Sequence, residues 1–388
     1  MNAKQTFYYC LCIAIFVGAV GHATQGAMLT SFINQYSLQS SAQGMTGFAQ
    51  SIGQSLSLVL LLWQAGRIAK STIVVIAFTG VTVTFLAISL MPPFLVLSLI
   101  YCLFGIMFGA INSTTTALVA DMFTGDSTPK YMSGLHGIFG LAGLFSPLFF
   151  MALFSAGFHW NIVIRITAAV VAALLVLYLA LSGVSLKSIK MPVSGSLKLK
   201  REDFRRFFKR GSNYMLILSM FFYGMHQSAI VVWVIRYVSV FLGAPSLGAP
   251  SLSLYWAGAT ASRLFTHRVL TAPPLKILLF GNIAAAAVMC AGVLSGSAAV
   301  MALCVFVVGI LNGTTIPVLL ATGCADNDVN TILPASFINL ALFLALAFCP
   351  LIVGAMVEHV SLSSGMFLSA ACMLACGVLA YFYRGKKA

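Results

Sequence analysis

Read along its length, the chain is a succession of apolar runs separated by short polar or charged breaks. The runs fall near 7–34, 43–65, 71–91, 94–120, 132–157, 162–183, 213–241, 250–266, 274–294, 297–323, 331–357 and 362–383. Most are about the ~20 residues that a helix needs to cross a bilayer's hydrocarbon core, so the pattern predicts twelve transmembrane helices. The connection between the seventh and eighth runs holds Gly243, Pro245, Gly248 and Pro250, which punctuate the helix pattern without adding charge and make that boundary the hardest to place. The first run continues from Lys4 through Phe32 with no small-residue cleavage site, and reads as a retained span.

Composition narrows the picture further. Of 388 residues 60% are hydrophobic and only 7% charged, a fraction of the charge of a soluble domain, which excludes a soluble globular protein. The nine cysteines lie mostly inside apolar runs, as at Cys102, Cys290, Cys304, Cys349, Cys372 and Cys376, with no metal-ligand spacing and no disulfide framework, and read as small buried residues. No metal or cofactor is expected.

The formal charge of +14 would suggest nucleic acid if it were clustered on one soluble face, but its location says otherwise. With both termini inside, every Lys and Arg except Arg165 and Arg236 falls on the inner side, so the positive-inside rule sets N-in, C-in topology. A cytoplasmic membrane of bacterial type is the expected location, and nucleic acid is not an expected partner. The basic connection 184–212 divides the chain into a six-helix bundle over 1–183 and another over 213–388. Within it Phe204, Phe207 and Phe208, set against Arg205, Arg206, Lys209 and Arg210, predict a short amphipathic helix on the inner leaflet.

The halves are related. Gly109-Ala-Ile-Asn112-Ser-Thr114-Thr115 in the fourth run recurs as Gly309-Ile-Leu-Asn312-Gly-Thr314-Thr315 in the tenth, 200 residues later. His22 and His226, Arg67 and Arg263, Asp121 and Asp326, and Pro147 and Pro350 match in the same order. The fold class is therefore an all-α integral membrane protein, twelve transmembrane helices in two six-helix pseudo-repeats. This duplication joined by a basic inner loop is the architecture of alternating-access carriers.

Two stretches carry a resemblance. Leu135-His136-Gly137-Ile138-Phe139-Gly140-Leu141-Ala142-Gly143, followed by Pro147, and Ser253-Leu254-Tyr255-Trp256-Ala257-Gly258, followed by Arg263, are similar to signatures of the fucose permease-like sugar porters. The chain thus resembles the major facilitator superfamily, which implies a carrier, with a sugar as the family-level solute. His226 stands where many relatives have a carboxylate, and Gln64-Ala65-Gly66-Arg67-Ile68-Ala69-Lys70 keeps only fragments of the family's inner-loop motif, so the resemblance does not carry over proton coupling by a family-like glutamate.

Ionisable groups in hydrocarbon are costly and are functional candidates by default. All seven acids (Asp121, Asp126, Glu202, Asp203, Asp326, Asp328 and Glu358) lie at or near run ends, which disfavours a cationic solute. His22 and His226 are mid-run candidates for proton coupling, or for donating hydrogen bonds as neutral imidazoles. Candidate solute contacts are His22, Gln25, Asn112, His226, Gln227, Trp256, Asn312 and Asn339. Arg165 and Arg236 are candidates for an anion entrance, or snorkel to the outer headgroups. Asp121 with Arg67 and Asp326 with Arg263 are expected as inner ion pairs of a gate, with His136 among packed glycines.

The leading expectation is a monomeric secondary transporter of a small polar organic solute, sugar-like or anionic, with a proton as candidate co-substrate and the lipid bilayer as surroundings. The alternatives are a carrier of a larger amphiphile, such as a drug or siderophore-like chelator, and a non-transporting receptor or scaffold. An enzyme is not expected, because the chain has no nucleophile elbow, zinc spacing or acid cluster.

Overall fold

The computed structural model describes residues 3–38, 45–124, 127–188, 199–269, 273–327 and 329–383. Every element among these residues is helical, as hydrocarbon demands when it offers the backbone no outside hydrogen-bond partner. The first half comprises α1 (Ala3–Tyr36), α2 (Met45–Gln64), α3 (Lys70–Ile88), α4 (Phe94–Met122), α5 (Thr128–Ser155) and α6 (Trp160–Ser188). A short helix follows, α7 (Arg201–Lys209). The second half comprises α8 (Gly211–Arg236), α9 (Pro245–Val269), α10 (Pro274–Leu294), α11 (Ala298–Asn312), α12 (Thr315–Ala325), α13 (Ile332–His359) and α14 (Leu362–Tyr381). The last turn of α8 widens into a π-helical turn over Tyr237–Phe241.

Eleven of the predicted spans are long and apolar enough to cross a membrane among the described residues, α11 and α12 together forming one of 28 residues. The twelfth, α9, has the length, 25 residues, but carries Ser, Gly, Thr, Arg and His among its apolar positions. Its Gly/Pro-rich start does not break the helix, which begins at Pro245 and contains Pro250. Side chains such as Val59, Leu99 and Leu103 point outward, more than half exposed, while Gln50, Gln54, Ser57 and Thr114 to Thr116 are buried. Apolar surface outside and polar groups within is the arrangement a lipid solvent selects, and the protein is an integral membrane protein.

The chain forms two compact units. One gathers residues 1–123, 145–199 and 330–336, the other 124–144, 200–329 and 337–388. They depart from the expected division in two places: the first half of α5 belongs with the second unit, and the first turn of α13 with the first. Each unit repeats one packing scheme, α2 on α4, α3 on α4 and α1 on α6 in the first, α9 on α11, α10 on α11 and α8 on α14 in the second.

Glycines set the register of that repeat. A Cβ on Gly105 would run into the Gln50 carbonyl, and one on Gly53 into the Cys102 carbonyl. In the other unit a Cβ on Gly309 would meet the Tyr255 carbonyl, and one on Gly258 the Phe306 carbonyl. The equivalent pairs are therefore Gly105 with Gly309 and Gly53 with Gly258, an offset of 204 to 205 that also relates His22 to His226. This corrects the 200-residue register of the Gly-x-x-Asn-x-Thr-Thr match. In the true register Asn312 corresponds to Phe108, not to Asn112. Four residues are close to one helical turn of 3.6, so the two registers put the motif on the same face and differ only in height.

The tenth span is broken where its counterpart α4 is continuous. Residue 317 is proline, which has no N–H to donate to the Gly313 carbonyl four residues earlier, and the helix parts at Gly313 and Thr314. A Cβ on Gly313 would strike the Ala259 backbone, so this glycine also permits close approach of α9. The amphipathic helix α7 forms as predicted but turns its phenylalanines to protein. Phe204, Phe207 and Phe208 surround Phe337 of α13, with centroids at 6.3, 5.8 and 4.7 Å.

Candidate functional site

In the first unit, His22 sits in mid-α1. Its Nδ1 lies 2.5 Å from Nε2 of the buried Gln50, and its ring stacks on Phe108 at 5.7 Å. Gln50 Oε1 has no hydrogen-bond partner. In the second unit, His226 in mid-α8 is fully buried. Its Nε2 is 2.6 Å from Asn312 Nδ2 and 3.5 Å from the Tyr255 hydroxyl, and its Nδ1 is 2.8 Å from Ser369 Oγ on α14. An amide N–H aimed at Nε2 requires that nitrogen to accept, which places the ring proton on Nδ1 facing Ser369. Asn312 Oδ1 is left without a partner.

The equivalences obey the 204 to 205 offset throughout: Phe108 and Asn312 touch the two histidines at one corresponding position, Gln50 and Tyr255 at another. Each half thus builds its own histidine site from its first, second and fourth helices, to which the second half adds Ser369 of its sixth. Ser369 and Gln50 had no assigned role in the sequence reading. Gln50 was legible only as a buried amide, and Ser369 gave no signal.

The remaining candidate contacts are spread out. Asn112 is buried in α4 with Oδ1 unpartnered. Gln227 is buried beside His226 in sequence, and Asn339 is buried in α13. The Gln25 side chain lies outside the described residues. Trp256 is buried against Phe139 at 5.9 Å and Tyr255 at 5.5 Å.

Arg165 and Arg236, the two arginines expected at the outer face, are each engaged locally. Arg165 is exposed and donates to the Ser89 carbonyl at the end of α3, 3.4 Å. Arg236 is exposed and lies over the Trp233 ring at 5.9 Å.

Neither expected inner ion pair forms. Asp121 is held by Lys70, the first residue of α3, with Nζ donating to Oδ2 at 2.6 Å. Thr331 completes a ring, its hydroxyl donating to Asp121 Oδ1 at 2.8 Å while accepting from Lys70 at 2.9 Å. Arg67 is instead exposed in the loop and stacked over Trp63 at 4.7 Å. Because α3 packs along α4, its N-terminal lysine reaches the acid that the loop arginine does not. Asp326 is likewise taken by others, accepting from the Tyr383 hydroxyl at 2.8 Å through its carboxylate and from Arg210 through its carbonyl. Burial, and then the Asp326 carboxylate, push the Tyr383 phenol well above its ordinary range.

Arg263 is 1% exposed and has no acid partner. Its Nε donates to the Gly313 carbonyl at 2.8 Å and its Nη1 to the His136 carbonyl at 3.1 Å. The first of these is the carbonyl that Pro317 leaves without an N–H. The glycines of α5 explain the second contact. Gly137, Gly140 and Gly143 lie against Leu264, Thr260 and Trp256 of α9, so the helices come close enough for a guanidinium to reach the α5 backbone.

These features place the chain in a known class. The sequence model of the Major Facilitator Superfamily matches residues 11–326, and the chain belongs to that family. Its fold is similar to that of the transporter FucP solved in the outward conformation, at 13% identity and a TM-score of 0.82, covering 99% of this chain and 100% of that one. It is also similar to the human organic anion transporter MFSD10, at 13% identity, TM-score 0.79 and 98% and 100% coverage. The proton:xylose symporter XylE follows at 12% identity, TM-score 0.75 and 98% and 96% coverage. No curated protein matches the chain in sequence. The protein is a membrane transporter of the major facilitator type, acting on a small-molecule substrate.

Proposed function

We propose that this transporter is a secondary carrier that moves a small polar organic solute across a bacterial cytoplasmic membrane by alternating access, with both termini on the inner side. The observation that carries the reading is the matched pair of histidine sites, half-buried His22 with buried Gln50, and buried His226 with Asn312 and Ser369. Polar groups buried in membrane helices are costly to keep, and those with open valences await a partner that water or solute supplies. Gln50 Oε1, Asn112 Oδ1 and Asn312 Oδ1 are such groups. Amides suit hydroxyl groups, which both donate and accept, and the sugar symporters among the structural neighbours make a hydroxylated solute the favoured class.

The histidines also supply a route for coupling to protons. Proton uptake at His226 Nε2 turns that nitrogen from acceptor to donor. Asn312 then has to rotate its amide and offer the unpartnered Oδ1 in place of Nδ2. Protonation of one residue thus reorients a group available to the solute. His22 and Gln50 provide the same reversal in the first half. The Lys70, Asp121 and Thr331 ring, with the Arg263 contact to the His136 carbonyl, serves as the set of inner contacts that part when the inner side opens.

In proteoliposomes, His22→Gln and His226→Gln are expected to lose accumulation driven by a proton gradient while retaining counterflow exchange. Accumulation unchanged in both variants would reject the coupling role.

A further inference from the structure

The Arg263 guanidinium is the one buried cation among the described residues that neither pairs with a carboxylate nor reaches solvent. Lys70, the buried cation of the first unit, has Asp121. Taking a charge out of water costs several kcal/mol unless an opposite charge or a full set of hydrogen bonds replaces hydration. Arg263 has two neutral carbonyls, and its Nη2 has no partner.

The groups around it have the chemistry of an anion site. The Thr260 hydroxyl, one turn earlier on α9, is buried without a partner, as is Nε2 of His136, whose carbonyl Arg263 holds. The Tyr223 hydroxyl, beside the guanidinium, makes no hydrogen bond of standard geometry. Trp256 presents its ring face to the guanidinium at 5.9 Å. All these residues lie in one compact unit. A cation fork with a spare edge, hydroxyl donors and an imidazole is what a carboxylate needs, since it accepts two parallel N–H bonds from arginine and further bonds on its remaining lone pairs. No acid stands among these side chains to repel it.

We propose that Arg263 anchors the carboxylate of the transported solute, which makes the substrate a small hydroxylated organic monoanion, such as a sugar acid or hydroxy acid, rather than a neutral sugar. The inference rests on the carrier reading and specifies its substrate. A single guanidinium without other buried cations nearby selects one negative charge. A carboxylate on Nη1 and Nη2 replaces the His136 carbonyl, so binding releases the first half of α5 from α9. Nε keeps its bond to Gly313 throughout.

The alternative is that Arg263 only satisfies the Gly313 carbonyl that Pro317 leaves open. The two roles separate in a double variant, because Pro317→Ala restores an N–H four residues after Gly313. The full-length protein in detergent is titrated with gluconate, glucuronate and lactate, and with glucose as the neutral match, while its melting temperature is followed. At least one acid is expected to raise the melting temperature of the parent in proportion to the logarithm of its concentration. Arg263→Lys should need at least tenfold more acid for the same rise, and Arg263→Gln should show none. Arg263→Gln with Pro317→Ala should recover part of the melting temperature lost in Arg263→Gln without acid, yet stay unresponsive to acid.

An acid response in the double variant equal to the parent's would reduce Arg263 to a cap and overturn the proposal. So would a parent that responds to glucose alone or to none of the four. Glucose flux in proteoliposomes alongside either result would leave the carrier reading standing. Absence of flux for every solute would remove that reading as well.

Discussion

Each half of this transporter buries one cation among the described residues, and the two are accommodated in opposite ways. In the first unit Lys70 meets Asp121 and a bridging threonine, closing a ring in which every charge has its opposite. In the second, Arg263 meets only backbone carbonyls, one of them freed by Pro317. A duplicated fold keeps its helix packing, set by Gly53 and Gly105 in one copy and Gly258 and Gly309 in the other. Its electrostatics are free to diverge. The ion pair spends its attraction within the protein, whereas the cation without an acid keeps attraction to spare for an anion.

The contrast can be broken in order of effect. Lys70→Ala strands the Asp121 carboxylate among buried groups and should cost about 3–5 kcal/mol in equilibrium unfolding in mixed micelles. The matching Arg67→Ala should cost about 0–1 kcal/mol, as for an exposed side chain. Equal losses would mean that Lys70 is not the residue that singly holds the acid. Arg263→Gln removes charged donors from two carbonyls and should cost about 2–3 kcal/mol by the same measurement. A smaller loss than for Arg67→Ala would show that the carbonyls find other partners.

Gly105→Ala and Gly309→Ala should each cost about 1–3 kcal/mol from overpacking, and by similar amounts. A tolerated alanine at one of them alone would refute the shared register. The smallest effect is Pro317→Ala in the parent, expected to stabilise by about 1 kcal/mol or less through one added helical hydrogen bond. Faster amide exchange at 313–317 in that variant would contradict it.

Much of the architecture was legible because a bilayer reduces folding to a few rules. Apolar run length marks the spans, and the basic stretch 184–212 marks the midpoint. The α9 span was harder, since Pro245, Gly248 and Pro250 read as a break while the helix runs through them. The candidate site was legible by residue type and not by partner. His22 and His226 stood out as mid-span ionisable groups, but Ser369 lies 143 residues from the histidine it contacts, and no local pattern announces such a meeting. Asn112 and Asn312 looked equivalent because four residues bring a helix almost back to the same face, and only packing against Gln50 and Tyr255 decides the height. Arg67 looked like the partner of Asp121 because it sits in the family-like loop fragment. The deciding fact was the path of α3, which delivers Lys70. Pro317 following Gly313 by four was the one readable sign that a carbonyl would need an outside donor.

The gap between α11 and α12 gives the second half a joint that the first half lacks. A continuous rod such as α4 moves as one lever, so displacement at either end is felt along its whole length. In the jointed span the α11 segment, including Asn312, can tilt while the α12 segment stays fixed, with Arg263 as the pin at the joint. Motion in this carrier is then expected to be lopsided, with one copy of the duplication behaving as a stiff wall and the other as the flexing one.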